Sequence, residues 1–344
     1  MTGPRLGFLG VGWIGRNRME ALLAAGAQAV AIADPSPENL AAALQAAPSA
    51  TPLASLEAML KLDLDGIVIA TPSALHAAQA IEALNAGMAV FCQKPLGRSG
   101  DEVDRVLDAA RRSDRTIGVD LSYRNTAAIQ PIRAMIRAGE LGSIYGIDLT
   151  FHNAYGPDKA WFYDPALAGG GCLMDLGIHL IDLALWTLDF PAVRSARGRL
   201  MAAGAPLRDR TTQVEDYVVA EILLESGAPI RIACSWRLPA GREAVISAEF
   251  YGTQGGAALQ NISGSFYDFA SYRHMGTSSQ TLVAPPDDWG GRAAVAWAAR
   301  LVRDPGYDRQ SDKLLTVARL IDDIYASAET GASIDLLQLG VVGI

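Results

Sequence analysis

The segment Gly10-Val11-Gly12-Trp13-Ile14-Gly15 constrains this chain more than any other. A G-x-G-x-x-G run alone says little, because glycine is common. Its setting carries the information. It follows an apolar stretch, Arg5–Leu9, that reads as a strand, and it opens a stretch, 13–25, that reads as a helix. That is the strand–turn–helix context of a dinucleotide-binding loop. The first glycine permits the tight turn, the second lets a pyrophosphate approach the backbone, and the third lets helix pack on strand. The helix N-terminus then offers free N–H groups and a partial positive charge to the phosphates. Asp34 ends the next strand, 34 − 15 = 19 residues after Gly15. An acidic residue at that spacing holds the adenosine ribose hydroxyls and repels a 2′-phosphate. Pro35-Ser36-Pro37 follows with no Arg to accommodate such a phosphate, so NAD is expected in preference to NADP.

Strand-like and helix-like segments alternate through the first 120 residues. Strands are expected at 28–33, 65–70, 89–92 and 116–119. Ser36-Pro37 reads as a helix opening, a side-chain cap followed by Pro at the first helical position. Ser73 is expected to cap a helix that stops at Gly87. Ser99 and Glu102 read as a capping box for a helix reaching about Arg112. Such alternation implies a parallel sheet wound on both sides. After about Leu121 the pattern becomes strand after strand. Ile144–Asn153 places Tyr145, Ile147, Leu149 and Phe151 on one face, and 230–238 does the same with Ile230, Ile232, Cys234, Trp236 and Leu238. The stretch 244–251 also alternates and is expected as the neighbour of 230–238. This period of two belongs to an antiparallel sheet with one protected face. The stretch 216–225 is apolar at both parities and is expected to be covered on both sides, a second subunit being one possible cover. Helices are expected at 171–188 and near 312–326.

The chain thus reads as α/β. Residues 1–120 form a Rossmann doubly wound parallel sheet. Residues 121–344 form an α+β substrate-binding and oligomerisation domain with an open, mainly antiparallel sheet, whose C-terminal helix can pack back on the first domain. Half of the 344 residues are hydrophobic, enough for a sizeable core. A net charge of −8 argues against nucleic-acid or membrane-surface partners, which need a basic face. The apolar stretch near the N-terminus is short and has no cleavage-site pattern. No run reaches the ~18 apolar residues of a membrane helix. Cys92, Cys172 and Cys234 are widely spaced, form no zinc set and suit a reducing compartment. A cytoplasmic protein is the expectation.

Three further segments carry chemistry. Thr71-Pro72-Ser73-Ala74-Leu75-His76 and Gln93-Lys94-Pro95 lie at strand C-terminal ends, where open parallel sheets place ligands. The third runs from Gly169-Gly170-Gly171 through Asp175 and His179 to Asp182. On a helix, Asp175, His179 and Asp182 share a face. The glycine run would let substrate or cofactor approach the backbone closely. A buried helix has little reason to carry Asp and His together unless they are paired or reactive; a satisfied structural pair is the alternative. For alcohol oxidation His179 is an apt base. Lys94 can stabilise developing alkoxide charge, and Asp175 can orient His179 or hold a neighbouring hydroxyl. No third imidazole or thiolate set accompanies them, so no metal is expected.

With these motifs the chain resembles the Gfo/Idh/MocA oxidoreductases, the glucose–fructose oxidoreductase and inositol dehydrogenase family. The resemblance covers nearly the whole chain and rests on the glycine turn, Asp34, the Thr71-Pro72 and His76 segment, Lys94-Pro95, and the Gly-Gly-Gly, Asp175, His179 segment. It implies Lys94, Asp175 and His179 as the catalytic group. It implies cofactor contacts from Gly10, Gly12, Trp13, Ile14, Gly15, Asp34, Thr71, Pro72, His76 and Lys94. Substrate contacts would come from Lys94, Arg124, Asn153, Tyr155, Trp161, Asp175 and His179, with Tyr163 in the same segments. The implied activity is hydride transfer between NAD and a secondary hydroxyl of a sugar or cyclic polyol, by a homodimer or homotetramer. An NAD-using glycoside hydrolase and a non-catalytic NAD-binding sensor are the competing readings. One departure stands out: the family usually has Glu before the lysine, and here Gln93 offers a neutral amide that favours a charged lysine less.

Overall fold

The structure, a computed structural model, describes residues 3–331 and the strand Ile334–Asp335. It divides into two compact units: residues 3–122 with 290–316, and residues 123–289 with the C-terminal helix from Val317 onward.

In the first unit, strands β1 (Arg5–Leu9), β2 (Gln28–Ala33), β3 (Thr51–Pro52), β4 (Gly66–Ile69), β5 (Ala89–Cys92) and β6 (Ile117–Val119) lie in the order β3-β2-β1-β4-β5-β6, all parallel. Helices α1 (Trp13–Ala24), α2 (Pro37–Ala46), α3 (Leu56–Met59), α4 (Ser73–Asn85) and α5 (Gly100–Ser113) connect them. The central strands β4 and β5 are buried at every residue, as continuous apolar runs require. Ser36 caps α2 by accepting from Asn39 N at 3.3 Å. Ser99 caps α5 through Glu102 N at 3.2 Å, but Glu102 returns its carboxylate to Arg98 N at 2.7 Å, not to Ser99. Ser73 differs from expectation. It is the first helical residue of α4, and Pro72 takes the cap position without a side-chain bond.

Residues 290–316 were expected with the second half, yet they group with the first unit. The helix Arg292–Arg303 closes its core. Trp297 lies against the sheet where β4 and β6 carry glycine: a Cβ at Gly66 would sit 2.9 Å from its ring, and one at Gly118 2.8 Å. Its ring centroid is 5.7 Å from that of Phe91. Two strand glycines therefore form the slot that receives the indole.

The second unit is built on a mixed sheet. Its strands are β7 (Ile144–Asn153), β8 (Val193–Ala202), β9 (Ala205–Pro206), β10 (Tyr217–Leu224), β11 (Pro229–Ser235), β12 (Ala244–Gly252), β13 (Gly255–Asn261), β14 (Phe269–Met275), β15 (Ser278–Val283) and β16 (Ile334–Asp335). The order is β15-β14-β13-β12-β7-β11-β10-β8-β16, with β9 paired to β8. All pairs are antiparallel except β11 with β7. The expected neighbours 230–238 and 244–251 are therefore separated by β7. Alternation fixes which face a strand buries, not which strand lies beside it.

Ile147, Leu149 and Phe151 face the core, whereas Tyr145, at the strand end, is 60% exposed. On β10, Val218, Ala220, Ile222 and Leu224 are buried, but Val219 on the opposite face is 47% exposed. The expected second cover of that face is not supplied by the described residues. Helices α6 (Ile129–Arg137), α7 (Pro165–Ala168) and α8 (Ile178–Thr187) complete the unit, α6 against β13 and β14 and α8 against β7 and β11. The stretch Pro165–Thr187 is long and apolar enough to cross a membrane by length and composition; it is mostly buried within the protein.

Trp297→Ala should destabilise the first unit by about 3–5 kcal/mol, the usual cost of emptying a large aromatic site. Urea unfolding followed through a cofactor-binding signal checks this. Unchanged stability would show that the indole does not close the core.

Candidate functional site

In the first unit the three motif glycines do three different jobs. Gly10 is left-handed, with φ 82°, and a Cβ there would lie 2.6 Å from the Ala70 carbonyl oxygen. At Gly15 a Cβ would come 2.2 Å from the Gly10 oxygen, so this glycine is needed for close packing. At Gly12 the nearest atom would be Asn39 Nδ2 at 3.9 Å, leaving an open approach to the backbone. Gly12 is also the N-cap of α1 and gives no side-chain cap bond, so no cap side chain occupies the first-turn N–H groups. Asp34 is held as an acceptor beside the turn. Oδ2 takes Val11 N at 2.7 Å, and Oδ1 takes Ser36 N at 2.8 Å and Asn39 Nδ2 at 3.3 Å. Trp13 is 61% exposed at the same end of α1, and Ile14 is half-buried. An open backbone approach, an uncapped helix start and a fixed carboxylate suit a dinucleotide.

The loops after β4 and β5 are tied together by His76, which is 2% exposed. Nδ1 lies 2.7 Å from the Pro95 carbonyl oxygen and Nε2 2.6 Å from that of Thr71. Only an imidazolium could donate to both. Burial pushes the His76 pKa below its ordinary value; the two carbonyls pull the other way, the Lys94 charge adds to the lowering, and Glu102 opposes it. Both ring nitrogens are thus engaged by carbonyls of the same unit. Thr71 Oγ1 donates to Gln79 Oε1 at 2.6 Å.

Next to Lys94, the Gln93 amide donates to Asp120, which is buried. Asp120 also accepts from Arg18 Nε at 2.7 Å and from Ser122 Oγ. Arg18 lies on α1 and is itself buried. The neutral amide at position 93 therefore faces a carboxylate already in place. A glutamate there would set two carboxylates against each other.

In the second unit, a π-helical turn, Leu173–Gly177, leads into α8 and carries Asp175. A π turn takes more residues than an α turn, so the simple α spacing expected for Asp175 and His179 does not hold here. Asp175 Oδ2 accepts from Trp236 Nε1 at 3.0 Å. Trp236 in turn meets the edges of Phe162 and Tyr163, and Trp161 stacks on Phe162 with centroids 3.8 Å apart. Tyr163 donates to the Pro157 carbonyl at 2.9 Å. Asn153 Oδ1 accepts from Tyr155 N at 2.5 Å, and Tyr155, 54% exposed, reaches Glu243 with its hydroxyl at 3.3 Å. His179 sits edge-on to Tyr123, centroids 5.0 Å apart. Burial, reinforced by the negative charge of Asp175, pushes the Tyr123 phenol well above its usual range and keeps it neutral.

The structure thus links Asp175, through Trp236, to the segment of Trp161 and Tyr163. Asp182 is placed otherwise. It is buried and gripped by Arg124 through Nε and Nη2, so both charges are committed to each other. Burial raises the Asp182 pKa while Arg124 opposes the rise. Sequence reasoning missed Asp120, Tyr123 and Trp236 as members of these networks. Trp236 left a signal, since a buried indole N–H needs an acceptor. Asp120 directly follows the last residue of β6, where an acid reads as solvated.

Comparison with known proteins places these features. A model described as an oxidoreductase family with an NAD-binding Rossmann fold matches residues 5–121. One described as the GFO/IDH/MocA C-terminal domain matches residues 129–258. D-glucoside 3-dehydrogenase of Escherichia coli (strain K12) is 26% identical over 288 residues, covering 81% of each chain. The solved structure of levoglucosan dehydrogenase with NADH and L-sorbose superposes with a TM-score of 0.84 at 22% identity, over 98% of this chain and 99% of that one. KijD10, a 3-ketoreductase from Actinomadura kijaniata solved with NADP and TDP-benzene, gives 0.79 at 20% identity, over 94% and 97%.

Gln93→Glu should lower stability by about 1–3 kcal/mol, the cost of replacing a part-buried hydrogen bond to Asp120 by an unsatisfied contact. Adding Asp120→Asn, which restores one amide and one carboxylate, should recover most of it. Thermal unfolding of the single and double variants checks this, and equal destabilisation in both would refute the pairing.

Proposed function

Since this chain belongs to the Gfo/Idh/MocA oxidoreductase family, we propose that it moves a hydride between NAD and a secondary hydroxyl of a small sugar or cyclic polyol. It is an NAD(P)-dependent oxidoreductase with sugar dehydrogenase relatives. The observation that carries the reading is the segment Leu173–Thr187, where a carboxylate and an imidazole stand four residues apart in the family's C-terminal domain. The bound nicotinamide would supply the hydride acceptor. The chain supplies the rest. His179 takes the hydroxyl proton. Lys94 donates to the substrate oxygen and steadies its charge. Asp175, fixed by Trp236, orients His179 or a neighbouring hydroxyl. Asn153, Tyr155 and Trp161 contact the sugar. Arg124, held by its pair with Asp182, also contacts the sugar.

The preference for NAD rests on the Asp34 carboxylate, whose fixed charge opposes a 2′-phosphate. The residues 3–122 with 290–316 serve as the cofactor unit and the remainder as the substrate unit. We also propose a homodimer or homotetramer, joined through the sheet face that carries Val219, in the cytoplasm. Static light scattering giving a monomer at micromolar concentration would refute the assembly.

Screening NADH formation against a panel of sugars and polyols tests the activity. With a substrate in hand, His179→Ala should lower turnover roughly 10²–10⁴-fold, the usual worth of a positioned acid–base group. NAD affinity should be unchanged. Near-normal turnover would overturn the assignment of His179. Asp34→Ala should weaken NAD and narrow its lead over NADP in fluorescence titration; a wild-type preference for NADP would overturn the role of Asp34.

A further inference from the structure

Glu215 lies just ahead of β10 and is buried. Its Oε1 accepts from Gly171 N at 2.9 Å, from Leu173 N at 3.0 Å and from the Tyr325 hydroxyl at 2.9 Å. Its backbone carbonyl accepts from Cys172 N at 3.0 Å. Three consecutive backbone N–H groups at the start of the Asp175 segment therefore end on this one residue. Such first-turn groups have no partner within their own helix. The usual solution is a local Ser, Thr, Asp or Asn cap. Here the cap comes from the sheet, 44 residues further along the chain.

Two glycines of the run make room for this contact. A Cβ on Gly171 would lie 1.8 Å from the Glu215 carbonyl oxygen, and one on Gly170 would lie 1.9 Å from the Tyr325 hydroxyl. The close approach expected of substrate or cofactor at this run is made by the protein's own Glu215 and Tyr325. Asp175 follows directly on the anchored turn, donating its N–H to the Gly171 carbonyl at 3.0 Å. The start of the π turn that carries Asp175 is thereby tied to the residue just ahead of β10.

We propose that Glu215 is a positioning residue for the reaction, holding the start of the helix that aims Asp175 and His179. The proposal rests on the reading of those two residues as the reacting groups. Burial pushes the Glu215 carboxyl above its usual range against the pull of its donors. Glutamine, neutral and still an acceptor at one oxygen, is therefore the conservative replacement. Misplacement by about 1 Å at a reacting group can cost on the order of 10²-fold in rate.

The test compares Glu215→Ala, Glu215→Gln and Tyr325→Phe with His179→Ala, using the full chain, NAD and the substrate found by the panel. Glu215→Ala should lower kcat by about 10–10²-fold and shift the acid limb of the pH–rate profile, because the surroundings of His179 change. The KM for NAD should hold. Glu215→Gln should retain kcat within a few-fold. Tyr325→Phe, which keeps the ring and loses one donor, should fall between wild type and Glu215→Ala, and it carries the test if the alanine variant does not fold. The proposal is overturned if kcat and the acid limb stay at wild-type values in Glu215→Ala, or in Tyr325→Phe where the alanine variant is unfolded. Equal losses in the glutamine and alanine variants would also overturn it, since charge and not acceptor geometry would then be at work. Unimpaired turnover in His179→Ala is a different failure: it removes the reading of the site and leaves the anchoring of the helix intact.

Discussion

A helix leaves its first few N–H groups without partners inside itself, and each unit of this protein resolves that deficit in an opposite way. At α1 the cap is a glycine with no side chain, and the open side of Gly12 leaves the backbone approachable. At the turn before α8 the same kind of deficit is filled from within by Glu215. The first solution leaves a positive end available to an anion. The second gives up that option in exchange for a fixed orientation of the side chains that follow. In both places glycine sets the geometry, by leaving the backbone open in one and by making room for the Glu215 carbonyl oxygen and the Tyr325 hydroxyl in the other.

The loops at the C-terminal ends of β4 and β5 show a related economy. His76 joins Thr71 to Pro95, and Asp120 joins Gln93 to Arg18 on α1. Each link centres on a buried side chain, His76 or Asp120, and joins separate elements of the unit. They make the neighbourhood of Lys94 a product of the whole first unit. Polar groups this deep are costly unless satisfied, which is why each is multiply bonded.

The first half was largely legible because its rules are local. A buried strand, a glycine turn and a Ser-Pro helix start each span a few residues, and they fell where expected. Ser73 failed because Pro72 displaced it from the cap position. The second half was legible in its faces but not its order. Alternation placed Ile230 and Ala244 on buried faces, yet nothing local to either strand announced that β7 would lie between them. At the site, Asp175 and His179 could be singled out from spacing. Tyr123 and Glu215 could not, and for Trp236 the need of an acceptor was legible but not the acceptor, because these contacts reach far along the chain, 42 residues for Glu215–Leu173 and 61 for Trp236–Asp175. Asp182 read as a third member of a face and instead neutralises Arg124.

The return of residues 290–316 to the first unit makes residues 123–289 an insertion, a chain within a chain. On a ribosome the parallel sheet emerges early, but the indole that fills the slot at Gly66 and Gly118 is made only after residues 123–289 have been translated. At about 5–20 residues per second that is a wait on the order of ten seconds or more for the Rossmann half. During it the nascent sheet holds an apolar groove that a chaperone can recognise. A gene cut after residue 122 would make that temporary state permanent.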